Sequence, residues 1–352
     1  RSEFIVTTII TIIMVIMALD HTRDYFSNFT YSPTDIEHTS PAMFFTRWIT
    51  HFCAPVFIFL SGASAYLSLR KGKTTHQQSV FLLTRGLWLI VLEFTILRLG
   101  WFFNIDYSLM VVQVIWAIGW SMIFLAGLIY LPRPAILAIG LVMIFGHNLL
   151  DGITAASLGN SGMWWNLAHE QGPVSLAQST TLFVAYPLIP WLGVMATGYC
   201  FGAVLTRPAE QRNRWAFSIG ISAITLFLLL RFTNLYGDPS PWKPQATPMQ
   251  TFLDFFNVTK YPPSLLYLLM TIGPAILFLA FTQHVRNGFS KAVTVFGRVP
   301  FFYYILHFYL IHLVASVLSF TRGHSFAEGA AGVPGMPFKF IYPGEGYSLA
   351  IT

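Results

Sequence analysis

Apolar residues run along this chain in long unbroken stretches, separated by polar connections rather than alternating with them. A helix needs about 20 mainly apolar residues to cross the hydrocarbon core of a bilayer. Nine stretches approach that length: 4–20, 49–69, 80–99, 109–131, 134–150, 180–205, 215–232, 263–282 and 297–320. Runs of this kind exclude a β-barrel of short alternating strands, and no repeat at fixed spacing is visible. The pattern predicts an all-α, polytopic transmembrane helix bundle forming a single domain over 1–352. It also predicts a Gly/Pro-rich extracytoplasmic segment at 321–346 and a further helix beginning near Tyr347.

Composition agrees with this reading. Of 352 residues, 55% are hydrophobic and 10% charged, whereas a soluble domain carries roughly a quarter charged residues. The net charge of +6 does not point to nucleic acid, because the charges are sorted by connection. One set of connections holds Arg70, Lys71 and Lys73, then Arg133, then Arg207, Arg212 and Arg214, then Arg286, Lys291 and Arg298, with Glu210 as its only acid. The opposite set holds Asp24, Asp35, Glu37, Asp106, Asp151, Glu170, Asp238 and Asp254. Short basic loops are expected on the cytoplasmic side. The N-terminus is then cytoplasmic, and 21–48, 150–179 and 233–262 are external. The first stretch lacks a basic leader and cleavage site and reads as a retained span. Cys53 and Cys200 sit in apolar runs and read as packing residues.

The densest polar cluster closes the first span at Asp20-His21-Thr22-Arg23-Asp24-Tyr25. An interfacial anchor is the simplest account, but an anchor needs no such variety of ionisable groups, so Asp20, His21 and Asp24 are candidate catalytic residues. His38 follows in a non-helical stretch, where a hydrated histidine can exchange protons near neutral pH, with Asp20, Asp24 or Asp35 as orienting carboxylates. In the second span Arg47, His51 and Pro55 recur every four residues, on one helix face. Ionisable groups in a span usually face the bundle interior or a wet cavity, and Pro55 frees a carbonyl one turn back, which can kink the helix or accept a polar partner. Arg85 and Glu93 lie two turns apart on the third span, with Glu93 read as a structural partner of Arg85 or Arg98. The segments Tyr186-Pro-Leu-Ile-Pro-Trp191 and Lys260-Tyr-Pro-Pro-Ser264 break helix geometry, and Lys260 is either a substrate-binding or a snorkelling lysine. Tyr303 and Tyr304 can face His307, whereas His307 and His312 are five apart without a nearby carboxylate, so no metal is expected. Phosphate-binding loops, dinucleotide fingerprints, zinc-protease helices and nucleophile elbows are missing from the sequence.

Five segments together resemble the bacterial branch of the heparan-alpha-glucosaminide N-acetyltransferase catalytic domain family: Met17–Phe26, Thr46–Gly62, Tyr186–Trp191, Lys260–Ser264 and Gly297–His307. The resemblance implies a multi-pass acyltransferase of the bacterial cytoplasmic (inner) membrane. It would move an acetyl or other acyl group from cytoplasmic acetyl-CoA or another acyl-CoA to an amine or hydroxyl of a sugar-like acceptor outside. It implies His38 as general base. Arg70, Lys71 and Arg85 are reasonable hosts for the CoA phosphates, and Arg47, His51, Lys260 and His307 would contact substrate. The lipid bilayer and a small-molecule or glycan acceptor are the expected partners, and a homodimer is compatible with the sequence. Two departures are plain: an aspartate of the family's second span corresponds to His51, and the usual Asp-x-x-Arg-Gly of span one is replaced by Thr7-Thr-Ile-Ile-Thr11. A transporter or binding protein for a polar metabolite, or an inactive family scaffold, are the alternatives, although no inverted repeat supports transport.

Overall fold

The computed structural model of the chain describes residues 2–29, 31–70, 72–177, 179–281, 297, 299–325, 328 and 345–349. Lys71, Arg286, Lys291, Arg298 and most of the 321–346 segment lie outside them. Among the described residues, seven helical stretches are long and apolar enough to cross a membrane: Val6–Phe26, Pro41–Leu69, Thr75–Phe102, Arg133–Leu150, Leu188–Leu205, Ala209–Thr233 and Pro300–Thr321. Two shorter apolar helices, Val114–Leu128 and Leu265–Phe281, match the remaining expected spans. The chain is an all-α, multi-pass membrane bundle.

Local chemistry sets the helix boundaries. In α1 (Ser2–Phe26) the apolar run passes without a break into the Asp20–Tyr25 cluster. Ser40 caps α2 (Pro41–Thr50), its hydroxyl accepting from the Met43 amide at 3.2 Å, with Pro41 in the first turn. The break between α2 and α3 (Cys53–Leu69) falls at His51 and Phe52, because Pro55 offers no amide to the His51 carbonyl. That carbonyl accepts from the Tyr267 hydroxyl at 2.8 Å instead. Thr74 and Gln77 form a reciprocal capping box at the start of α4 (Thr75–Leu92).

A π-helical turn at Glu93–Leu97 leads from α4 into α5 (Arg98–Phe102). The Glu93 partner is neither Arg85 nor Arg98. Its carboxylate accepts from the Gln113 backbone amide at 2.6 Å, while Arg98 bonds Asn104 through its carbonyl and at 2.7 Å through its side-chain oxygen. The orphaned amide at the head of α6 (Val114–Leu128) decides this pairing, and it has no signature in side-chain spacing.

The remaining elements are α7 (Arg133–Gly146), α8 (Gly162–Ala168), α9 (Leu188–Leu205), α10 (Ala209–Thr233), α11 (Pro248–Phe256), α12 (Leu265–Phe281) and α13 (Pro300–Thr321). In a bilayer, apolar side chains gain little by leaving lipid, so close backbone approach does much of the packing. The α3–α9 seam shows it. A Cβ on Gly62 would lie 2.1 Å from the Met195 carbonyl oxygen, and one on Gly198 would lie 2.0 Å from that of Phe59.

A small sheet departs from the all-helical expectation. Strands β1 (Leu109–Val112), β2 (Gly172–Ala177) and β3 (Thr180–Val184) order as β1-β3-β2, with β1 parallel and β2 antiparallel to β3. The apolar pattern predicts helices starting at 109 and 180. Those first residues are instead β-branched positions (Val111, Val112, Thr180, Thr181) that pair edge to edge before their helices begin.

Hydrogen bonds from Asn257 to the Thr34 carbonyl (3.1 Å), from Gln250 to the Ile36 carbonyl (3.3 Å) and from the Leu265 amide to Asn148 (2.8 Å) gather the acid-rich connections at one end of the bundle. Tyr347 joins the same end, its amide donating to the Phe26 carbonyl at 2.8 Å. The helix expected beyond it lies outside the described residues. Both cysteines are free.

Candidate active site

A cavity of about 430 Å³ penetrates the bundle, bordered by α1, α2, α3, α4 and α6, the sheet, the Lys260–Tyr261 turn and the start of α13. One part of its wall carries Asp20, His21, Asp24, Arg47, Thr50 and Lys260, and another part carries Ser61, Arg85 and Met122. Its size falls in the range of small-molecule sites.

The charged wall is built on α1 and α2. Asp20 accepts from Arg23, from Arg47 at 2.6 Å and from Thr50 at 2.9 Å. Arg23, only 3% exposed, also reaches Asp24 at 2.7 Å. Its placement follows from sequence, since Asp20, Arg23 and Asp24 lie within one turn. Arg47 and Thr50 are likewise one turn apart on α2 and converge on Asp20 from the facing helix. Two carboxylates meet Arg23, Arg47 and Lys260, so the wall carries one positive charge in excess. Lys260 lies 5.2 Å from the Tyr261 ring centre. Burial pushes the Tyr261 phenol up, but the Lys260 and Arg47 charges outweigh that and hold it below its ordinary value.

His21 lines the cavity, and its Nδ1 is buried without a hydrogen-bond partner. Its ring packs against Trp101, Phe308 and His307, with centroids 5.4 to 5.7 Å apart. His307 is held in orientation by the Tyr303 carbonyl, 2.8 Å from its Nδ1, and its buried Nε2 has no partner.

Of the candidates read from sequence, Asp20, His21, Asp24, Arg47, Arg85 and Lys260 line this cavity together. His51 and His307 are buried just behind its wall, against Tyr267 and His21 respectively. His38 stands apart. It is 63% exposed, on the 31–40 connection, with Nδ1 2.8 Å from Asp35. That hydrogen bond holds the Asp35 carboxyl below its usual range. Arg70 is exposed at the basic end.

Thr50, Gln113, Gln171, Tyr186, Tyr261 and Tyr304 also line the cavity without having been singled out for a role. Thr50 had a signal, its one-turn spacing from Arg47. Tyr186 and Tyr261 lay inside the two segments recognised as broken, and only the tertiary fold turns them inward. Gln113 and Gln171 flank strands, which the helical reading concealed.

The sequence profile described as heparan-alpha-glucosaminide N-acetyltransferase, catalytic, matches residues 6–233. Comparison with curated proteins returned no match. The matched region runs from within α1 to the end of α10, and it includes every cavity-lining residue of the charged wall except Lys260. This multi-pass membrane protein belongs to the heparan-alpha-glucosaminide N-acetyltransferase catalytic family, a family of membrane acyltransferases.

Proposed function

We propose that the cavity is the chamber of an acyl transfer from a cytoplasmic acyl-CoA to an amine or hydroxyl of a sugar-like acceptor at the acid-rich end, taken as extracytoplasmic. The observation that carries this reading is a single cavity bordered both by Arg85 and by the Asp20–Arg47–Lys260 wall. Arg85 suits a phosphate of the donor. The charged wall suits a polar acceptor, with Asp20 and Asp24 available to its hydroxyl or ammonium groups.

A histidine of the acid-rich end takes the proton as the acceptor attacks the thioester carbonyl, and the thiolate of CoA leaves. Two histidines qualify by chemistry. His38, the base that the family resemblance implies, has an orienting carboxylate in Asp35. His21 borders the chamber, and a base must lie within hydrogen-bond reach of the proton it removes, so the geometry favours His21. Nearby Asp20 and Asp24 would stabilise its imidazolium. The excess positive charge from Lys260 and Arg47 would stabilise the oxyanion that develops on the carbonyl.

Purified protein assayed for acyl-CoA binding and for CoA release with amino sugars tests the proposal. His21→Ala is expected to retain acyl-CoA binding and lose roughly 10²–10⁴-fold in turnover, while Arg85→Ala weakens binding. Loss in His38→Ala with His21→Ala unaffected would transfer the base to His38. Uptake of a polar substrate into liposomes without any CoA affinity would overturn the enzyme reading.

A further inference from the structure

A second cluster lies away from the cavity, where α7 ends. His147, Asp151 and His169 come together, each offering one ligand atom, with these atoms all within 4.8 Å of one another. His147 and His169 are 1% and 2% exposed. Among the described residues, neither ring nitrogen of His147 has a hydrogen-bond partner, and Nδ1 of His169 has none. A buried polar group without a partner carries a desolvation cost, and here two imidazoles incur it side by side, with ring centres 5.7 Å apart. We infer that this cluster is a divalent transition-metal site, best suited to Zn²⁺.

The donor set is the first argument. Two imidazoles and a carboxylate, with one position left for water, are a recurrent zinc environment. At bond lengths of about 2.0–2.1 Å, tetrahedral ligand atoms lie about 3.3 Å apart. Nε2 of His169 and Oδ1 of Asp151 are already 3.1 Å apart, so closing the site requires mainly a turn of the His147 ring, which no hydrogen bond holds among the described residues. Asp151 is 23% exposed, which leaves an entry path from solvent.

The surroundings are the second argument. The other carboxylate oxygen of Asp151 accepts from the Asn148 side-chain amide at 2.8 Å, and the Asn148 side-chain oxygen accepts from the Leu265 backbone amide at 2.8 Å. Metal-binding carboxylates are commonly oriented by such partners. His147 opens the 3₁₀ turn His147–Leu150 that follows α7, and Asp151 closes it, which brings the two side chains into one cluster. His169 returns to them after a lobe that is closed by bonds from Trp165 to the Ile153 carbonyl (2.8 Å) and from the Ala155 amide to Glu170 (2.5 Å).

A metal here would clasp the end of α7 to the base of that lobe and, through Asn148, to the head of α12. Gln171, which lines the cavity, is two residues beyond His169. The site is therefore a structural clasp behind one wall of the chamber, and its existence does not depend on the reaction performed there.

Full-length protein in detergent, stripped with chelator and returned to Zn²⁺ alone, is expected to bind about one equivalent per chain and to gain thermal stability. His147→Gln and His169→Gln should lose both responses, whereas His76→Gln, at the opposite end, should keep them. Asn148→Ala should weaken Zn²⁺ binding by roughly 10–100-fold. Should the histidine variants fail to fold, Co²⁺ added to the wild-type chain decides the matter, since a four-coordinate site gives the intense visible absorption of tetrahedral cobalt. Absence of that absorption, absence of Zn²⁺ uptake, or uptake equal in the histidine variants would overturn the inference.

Discussion

Two groups of buried charge sit at the same end of this bundle and are built on opposite principles. Arg231, fully buried in the last turns of α10, gives four of its five N–H donors to backbone: to the carbonyls of Phe255 (2.9 Å), Ser240 (2.8 Å), Asp254 (2.9 Å) and Asn257 (2.9 Å). Three of these carbonyls close the C-terminal end of α11, where a cation also meets the negative end of the helix dipole. The one remaining N–H, on Nη1, does not border the cavity. The Asp20 cluster instead pairs side chain with side chain across α1 and α2 and turns its remaining surface into a cavity that Lys260 and His21 share. Backbone pairing away from the cavity marks the first as architecture, and charged groups beside a cavity mark the second as a site.

The sharpest way to break this contrast is Arg231→Met. Four carbonyls would lose their donor, and each unsatisfied buried group costs about 1–3 kcal/mol. A loss of at least about 3 kcal/mol in unfolding free energy is expected, with early proteolysis within 233–262. Acyl-CoA binding per folded molecule should persist. Asp20→Asn should act in the other sense. It preserves shape but leaves Arg47 without its carboxylate and Arg23 with Asp24 alone, for about 1–3 kcal/mol of stability. Turnover per folded molecule should fall well beyond that loss of folded protein. Thermal unfolding measured beside CoA release separates the two variants, and equal turnover per folded molecule would abolish the distinction.

Much of this architecture was legible because lipid imposes long apolar runs, and their positions survive errors of several residues at each end. The Pro55 break was legible too, since a missing amide has a fixed consequence one turn back, and Tyr267 supplies the partner. Legibility failed where backbone groups choose partners across the fold. The Gln113 amide claims Glu93, and short β-branched segments at 109–112 and 180–184 pair with each other. In the candidate site, spacing within α1 and α2 reveals which side chains share a face, while the cavity depends on how segments from most of the chain meet. His147 and Asp151 are near in sequence, but His169 lies eighteen residues beyond Asp151 and only the returning lobe brings it close.

The gentlest test of the contrast is Thr50→Val, which changes one atom in the charged wall. The Thr50 hydroxyl contacts Asp20 at 2.9 Å and also the Arg47 carbonyl one turn back at 2.7 Å. The valine side chain has nearly the same shape, so α2 keeps its packing against α1 and no cavity is created. Arg23 and Arg47 still hold Asp20, so the carboxylate is not left unpaired. Stability should therefore fall by only about 1 kcal/mol, the usual net value of one hydrogen bond. If Asp20 must be held in one orientation to receive an acceptor, KM for the amino sugar should rise while acyl-CoA affinity stays fixed. A change confined to stability would instead place Thr50 with Arg231, among residues that only maintain the fold.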